Sequence, residues 1–489
     1  MRGPAAAAVG LLLLAAVAGP ARAVRPTDGD GWYGNGYDEG VPVQSYPSPG
    51  GHFRVWYVTG SADAVQPGDA APADGVPDFV AEVAERADRT WASAVDERGF
   101  RPPLDDSVYH DTPDFGGDSR YDIYLENISD ADGYRVAEAC TSAPDWCAGY
   151  FVMENDFTGF GYPSDSIGIR ILTSHELFHA LQDAYDADQD RKWTEGTAVW
   201  NQEETFPEQD DFEGFLSYFL DKPDRPFDRP GGGIADLYPY GAALWPQFQT
   251  ERFGPDAVRE VWEACEDTDG SNPDFLEAAD EVLGGRYGST LPEAWVEFSL
   301  WNLRTGPRAD PARAYRDAGS WPSVRLEPEV TGYPAEVTVS SEGLSARYVP
   351  IVLPERQGRT TRFTVTTATG PAVVASVMFW NGQTLGDAVA VDQGEDPAIR
   401  FVDLSWPADA TTAYLVLTGV ARGVLPRDVQ VRLDDPPVVP PVEPPDPGGG
   451  CHAVPAPGAG RHLPGAVLLG ALLVGGASWR RRGRRGTRA

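Results

Sequence analysis

The chain has 489 residues, 42% of them hydrophobic and 11% aromatic, which is enough apolar material for about two to four folded domains and excludes global disorder. Lys+Arg number 39 against 74 Asp+Glu, giving a net charge of −35, and Lys192 and Lys222 are the only lysines. A chain of this charge repels phosphate backbones, so nonspecific nucleic-acid binding is excluded as well.

Residues 1–23 combine Arg2, an apolar run from Ala5 to Ala18, the helix breaker Pro20 and the small-x-small triplet Ala21-Arg22-Ala23. Those three regions predict a secretory signal peptide and a mature start near Val24. Residues 24–49 are rich in Gly, Asp, Tyr and Pro without clear periodicity, and read as an N-terminal arm. His52 to Val58 alternates like a strand, and Val80 to Val95 carries apolar residues at helical spacing up to Gly99. Between them, the Asp69–Asp78 loop is a candidate for Ca2+, with Ala70 and Pro72 where oxygen ligands would stand; a capped helix start is the alternative. Tyr121–Ile128 and Tyr150–Phe157 read as further strands. Cys140 and Cys147 flank a short Pro-containing loop and suit a local disulfide in an oxidising compartment. Cys265 has no obvious mate and reads as a buried thiol.

From Asp165 to about Arg304 the pattern is almost wholly helical. A sheet-bearing half followed by a helical half implies one α+β unit over residues 24–322 with a cleft between its halves. After Pro322 short β-rich runs alternate with turn residues, predicting an all-β sandwich over 330–435. Residues 436–462 form a Pro/Gly-rich linker that contains Cys451, and 463–489 join a short apolar stretch to an Arg-rich tail. With the nine arginines of residues 1–23 and 451–489 set aside, the remainder carries −44.

Chemistry concentrates in Ser174-His175-Glu176-Leu177-Phe178-His179, which holds two of only six histidines. On a helix, positions i and i+4 share a face, so both imidazoles can meet one metal ion, and Glu176 stands where it can take a proton from an attacking water. The competing interpretation is a pair of core imidazoles satisfied by hydrogen bonds. A catalytic zinc wants a third protein ligand, and Glu195 in Trp193-Thr194-Glu195-Gly196-Thr197-Ala198 opens the next predicted helix, with 15 residues between it and His179. Glu203 and Glu204 follow on that helix and read as surface acids. Tyr238 and Tyr240 precede a later helix and are candidate oxyanion stabilisers or packing aromatics. The 150–157 strand is a candidate edge that pairs with an extended peptide, which makes Tyr150, Val152 and Glu154 candidate substrate-binding residues.

HExxH followed by W-x-E-G-x-A resembles the gluzincin metallopeptidases, and HELFHALQ, KWTEGTAVW and YDIYLENI together resemble secreted myxobacterial metalloproteases. The resemblance spans about residues 50–305. It implies a zincin-like fold, one zinc ion held by His175, His179 and Glu195, and Glu176 as general base. Met153-Glu154-Asn155 resembles part of an aminopeptidase motif whose Glu binds a free amino terminus. The Gly-rich stretch, Cys451, short apolar segment and Arg tail resemble the MYXO-CTERM type of sorting signal, which implies export and sorting machinery as partners, cleavage near Cys451 and a cell-surface destination. A permanent single-span membrane anchor is the other interpretation of that end. The sequence therefore predicts an exported, cell-surface zinc endopeptidase acting on protein or peptide. A zinc aminopeptidase and a noncatalytic adhesin with a structural zinc site stand as alternatives.

Overall fold

The computed structural model describes residues 25–28, 36–70, 73–105, 116–128, 131–141, 145–267, 270–367 and 372–437. The expected signal peptide, Cys451 and the 463–489 segment lie outside them. Among the described residues no helix is long and apolar enough to cross a membrane.

The first layer is a mixed sheet of β1 (Val43–Pro47), β2 (Phe53–Val58), β3 (Tyr121–Glu126), β4 (Gly133–Cys140) and β5 (Cys147–Glu154), in the order β1-β2-β3-β5-β4. β2, β3 and β5 run parallel, while β1 and β4 pair antiparallel at the two edges. Strand alternation sends Phe53, Val55, Ile123, Leu125, Phe151 and Met153 to one face, where they pack on α1 (Asp78–Trp91) and α2 (Asp165–Gln182). The opposite face bears Tyr124, Tyr150 and Val152 and receives the N-terminal arm. There the buried Arg25 guanidinium pairs with Asp122 and Glu138, each at 2.5 Å, and lies over the Tyr150 ring.

Two expectations need correction here. The arm is not without regular structure, because β1 belongs to the sheet; its side chains are largely exposed, so backbone pairing rather than apolar burial holds it. The 150–157 strand is not an edge, because β5 lies between β3 and β4 and has hydrogen-bonding partners on both sides. Tyr150, Val152 and Glu154 are thus interior sheet residues, and the sheet edge on that side is β4.

The second layer comprises α3 (Arg191–Thr205), α4 (Phe212–Leu220), α5 (Tyr238–Gly241), α6 (Leu244–Phe253), α7 (Ala257–Ala264), α8 (Phe275–Val282) and α9 (Leu291–Leu303). The chain turns between α5 and α6, and α6 starts at Leu244, which puts Pro246 in a first turn where its missing N–H leaves no gap. Asp274 and Thr290 cap α8 and α9 through capping boxes with Glu277 and Glu293.

The C-terminal part has two facing antiparallel sheets. One runs β10 (Val389–Ala390), β9 (Val373–Trp380), β12 (Thr412–Gly419), β7 (Ala346–Ile351); the other β11 (Ile399–Ser405), β8 (Thr360–Thr367), β13 (Arg427–Asp434), β6 (Ala335–Ser341). Val349, Phe363, Val377, Leu415 and Val431 fill the space between, in a sandwich-like arrangement. Its outer face meets the helical layer: the Tyr348 hydroxyl donates to Ser299 O at 2.9 Å, and Arg308 lies over Tyr414. The chain is therefore a mixed α/β body carrying sandwich-like sheets, continuous up to Pro436.

Candidate metal centre

The α2 helix is buried from Ile171 through Gln182, as a helix enclosed by the sheet on one side and α3 on the other must be. Its polar residues are satisfied locally or across the α2–α3 contact: Thr173 and Ser174 hydroxyls donate to carbonyls one turn back, and Asn201 Nδ2 donates to Ser174 O at 2.6 Å. On its other side α3 approaches the junction of α5 and α6 closely because of Gly196. A Cβ there would stand 3.1 Å from Ala242 C and 3.2 Å from Ala243 N, backbone atoms that cannot step aside. Gly196 thereby fixes how Glu195 enters the site.

His175, His179 and Glu195 converge. One donor atom from each lies within 4.8 Å of the others, all three side chains being buried. Glu195 Oε2 is 3.4 Å from His175 Nε2 and 3.6 Å from His179 Nε2, while its Oε1 accepts from Arg191 at 3.2 Å. The far side of each ring is held by a glutamine. His179 Nδ1 meets Gln182 Oε1 at 2.8 Å, and Gln182 Nε2 donates to Thr194 O and Thr197 Oγ1. His175 Nδ1 meets Gln202 Oε1 at 3.2 Å, and Gln202 Nε2 donates to Asp211 at 2.7 Å. Since both amide nitrogens are occupied as donors, each amide oxygen must accept, so Nδ1 carries the proton and Nε2 turns a lone pair toward Glu195.

Burial alone would raise the Glu195 pKa, but the two imidazoles overcome it and hold this carboxyl well below its usual range. Burial also opposes charge on both rings. At His175 the facing Glu195 and neighbouring Glu176 outweigh it and the pKa is raised; at His179 burial prevails and the pKa is lowered. Glu176 is pushed up to about 8 by burial, with Glu195 and Asp132 adding to the rise and His175 opposing it.

These residues fit a zinc ion. His175 Nε2 and Glu195 Oε2 are buried without a hydrogen-bond partner, and two imidazoles plus one carboxylate form a donor set that zinc accepts. Both oxygens of Glu176, adjacent to His175, are likewise buried and unpartnered. β4 begins beside it: a Cβ on Gly133 would lie 3.1 Å from Val152 O of the neighbouring strand and 2.9 Å from Leu172 Cδ1, with Glu176 Cγ in ordinary contact at 3.7 Å, so glycine relieves crowding where the edge strand starts. Asp132, just before it, is buried with one oxygen unpartnered and the other accepting from Tyr162.

The two candidate tyrosines separate. Tyr240 stacks over His175, with ring centroids 6.0 Å apart, and its buried hydroxyl has no hydrogen-bond partner. Burial and the Glu195 carboxylate raise its pKa. Tyr238 instead stacks on Phe219 beneath Arg225 and is a packing residue, which corrects its assignment to the site. Glu154 is committed elsewhere too: its Oε2 accepts from Ile128 N at 2.5 Å inside the sheet. The Asp69–Asp78 loop turns its carboxylates onto its own amides. Asp69 accepts from Asp74 and Gly75, and Asp78 from Ala70, which is the capped-turn arrangement. Cys140 and Cys147 are joined by a disulfide, and Cys265 is a buried free thiol.

Sequence reasoning missed Arg191, Gln182 and Gln202, although each has a positional signal. Arg191 is one helical turn before Glu195, Gln182 one turn after His179, and Gln202 two turns after Glu195. Glu203 and Glu204 are half-buried rather than surface acids.

No family model matches the sequence, and no curated protein matches it either. Among solved structures the chain is similar to aminopeptidase A of Legionella pneumophila, at 12% identity over 75% of this chain and 36% of that one, with a TM-score of 0.31. It is also similar to the pre-peptidase C-terminal domain of collagenase from Bacillus anthracis, at 12% identity over 22% of this chain and 98% of that one, TM-score 0.19. A third likeness is to the Aeromonas hydrophila g-type lysozyme inhibitor PliG, at 17% identity over 22% of this chain and 96% of that one, TM-score 0.16.

Proposed function

We propose that the chain is a zinc metallopeptidase of the gluzincin type with a zincin-like α+β domain, acting as an endopeptidase. The observation that carries this reading is the convergence of His175 Nε2, His179 Nε2 and Glu195 Oε2 beside the unpartnered carboxylate of Glu176. His175, His179 and Glu195 would hold the ion. When bound, zinc supplies Lewis acidity toward water and the scissile carbonyl. Glu176 takes the proton from the attacking water and returns it to the leaving amine, a role suited to a carboxyl whose burial has already moved it toward neutrality. Tyr240 directs its free hydroxyl at the charge that develops on the carbonyl oxygen. β4, the sheet edge beside Glu176, offers backbone groups to an extended substrate. Gln182 and Gln202 fix the tautomer and orientation of the two rings.

Glu154 favours the endopeptidase over the aminopeptidase, because the carboxylate that would anchor a free amino terminus is engaged by the Ile128 amide. Residues 1–23 and the segment from Cys451 onward fit export followed by sorting to the cell surface. The full chain should cleave casein and end-blocked peptides in a chelator-sensitive, zinc-restorable manner. Glu176→Gln should keep zinc and lose at least about 1,000-fold in kcat, on the scale of losing the proton-transfer step; cleavage at the wild-type rate would remove the mechanism.

A further inference from the structure

Residues 223–236 form a strap that leads from α4 toward α5 and passes between the sandwich-like sheets and the start of α3. The strap contains Gly231, Gly232 and Gly233, which have no side chains to pack and the widest backbone freedom, so its course depends on what grips it. We propose that the strap makes the sandwich-like sheets a support of the metal centre, with Arg191 as the positioning residue that carries the constraint to Glu195. The inference deepens the peptidase reading and rests on it for the identity of the ion.

One side of the strap is bonded to the C-terminal sheets. Ala346 N donates to Pro223 O at 2.7 Å, and Phe227 N donates to Leu344 O at 2.8 Å. Asp228 accepts from Leu344 N at 2.7 Å and from Gly423 N at 2.5 Å, and Arg229 pairs with Glu342. A Cβ on Gly343 would stand 2.2 Å from Asp228 Oδ1, so the turn receives this carboxylate only because it has no side chain there.

Three consecutive residues at the start of α3 grip the other side. Asp190 Oδ2 accepts from Gly231 N at 2.9 Å, and Lys192 Nζ donates to Arg229 O at 2.6 Å. Between them, Arg191 Nη1 donates to Gly233 O at 2.9 Å and Gly232 O at 3.3 Å, while Nη2 of the same guanidinium donates to Glu195 Oε1 at 3.2 Å. One rigid planar fork therefore spans strap and ligand, a task for which a lysine ammonium lacks the spread donors. With Oε1 engaged, Oε2 alone faces the two imidazoles, so the carboxylate would offer the ion a single oxygen and leave a position open for water. The same guanidinium lies over Tyr240, 5.9 Å from the ring centroid, on the ring that stacks on His175. Asp236, paired with Arg225, accepts from Gly232 N at 3.0 Å and Tyr238 N at 3.2 Å, and so closes the strap onto the helix that carries Tyr240. Neither Arg191 nor Asp228 belongs to the core: the Arg191 side chain is 19% exposed and Asp228 is half-buried, so each can be replaced without opening a cavity there.

The test uses the full chain with Arg191→Met, Asp228→Ala, the two combined, and Arg191→Lys, and reads zinc affinity by competition with a chromophoric chelator. Arg191→Met should bind zinc about 10–100-fold more weakly, the loss expected when the hydrogen bond behind a ligand is removed. Asp228→Ala should bind about 3–10-fold more weakly although its bonds go to the sheets, and the double variant should stay within about 2-fold of Arg191→Met, because both act through one path. Arg191→Lys should recover part of the loss, since it keeps one donor for Glu195. Cobalt-loaded Arg191→Met should lose visible absorption intensity as Glu195 closes on the ion with both oxygens, a change that general loosening of the fold would not produce. Wild-type affinity in Arg191→Met, unchanged cobalt bands, or a lysine variant as weak as the methionine variant overturns the positioning role. Wild-type affinity in Asp228→Ala, or losses that multiply in the double variant, overturns the link to the sheets. All of these leave the peptidase reading standing. The predicted order of affinities without any peptide cleavage supports the strap and refutes the peptidase reading, and a wild-type chain that takes up no zinc overturns both.

Discussion

Replacing Gln182 by leucine isolates what the support of the metal ligands contributes. The side chain is buried, and its Oε1 accepts from His179 Nδ1 at 2.8 Å while its Nε2 donates to Thr194 O and Thr197 Oγ1. Leucine fills a similar volume but strands the Nδ1–H of the ring, a buried donor whose loss of partner costs about 1–3 kcal/mol. That range agrees with the roughly 10–100-fold loss of metal affinity expected when the hydrogen bond behind a ligating histidine is removed, since each factor of ten is about 1.4 kcal/mol. Gln182→Glu separates affinity from stability, because a carboxylate still accepts from Nδ1 but cannot donate to Thr194 O. Zinc affinity, measured by competition with a chromophoric chelator, should fall about 10–100-fold in the leucine variant and stay within about 3-fold of wild type in the glutamate variant. Both should melt at lower temperature in the metal-free state. Wild-type affinity in the leucine variant, or equal loss in the two, would refute the assigned role of Gln182.

Glu126 is buried with both oxygens unpartnered, and burial together with Asp63 pushes its pKa up to about 8. The folded state therefore binds this proton more tightly than the unfolded state, so its contribution is intact below about pH 4.5 and is lost as the pH rises toward 8. Glu126→Gln should stabilise the fold by up to about 4 kcal/mol near pH 9 and give no gain near pH 4 in denaturant titrations; a pH-independent effect contradicts the reasoning. Gly196→Ala should destabilise by about 1–3 kcal/mol, because the new methyl meets the Ala242–Ala243 backbone, and should weaken zinc binding by shifting Glu195; a thermal melt and affinity matching wild type would exclude that coupling. Tyr240→Phe should lower kcat on peptides by about 100-fold with unchanged zinc content, and an unaffected kcat would reassign Tyr240 to packing.

Legibility in the sequence followed the range of the interactions. His175, His179 and Glu176 share one helical turn, so the 3.6-residue period alone brings them together, and Glu195 could be added because it opens the next helix. Sheet order is set by long-range pairing, and there the sequence reading misplaced the edge. A physical signal was present: Cys147–Glu154 is apolar almost throughout and buried at every position, which marks an interior strand, whereas Gly133–Cys140 mixes buried and exposed residues as an edge does. Tyr238 and Tyr240 looked equivalent because both adjoin a helix start. Only the fold separates them, turning Tyr240 over His175 and Tyr238 onto Phe219. Glu203 looked like a solvated acid because helix period cannot foresee the wall that α4 and the 317–321 segment build against it.

Metal analysis of the purified full chain tests the central claim most directly, paired with the same analysis of His179→Ala and Glu195→Ala. The account predicts one equivalent of zinc per chain in the wild type, coordinated by two imidazole nitrogens and a carboxylate oxygen at the zinc absorption edge, and loss of stoichiometric zinc in both variants. Stoichiometric zinc retained by both variants, or a folded wild-type chain that takes up none from micromolar solution, would contradict it.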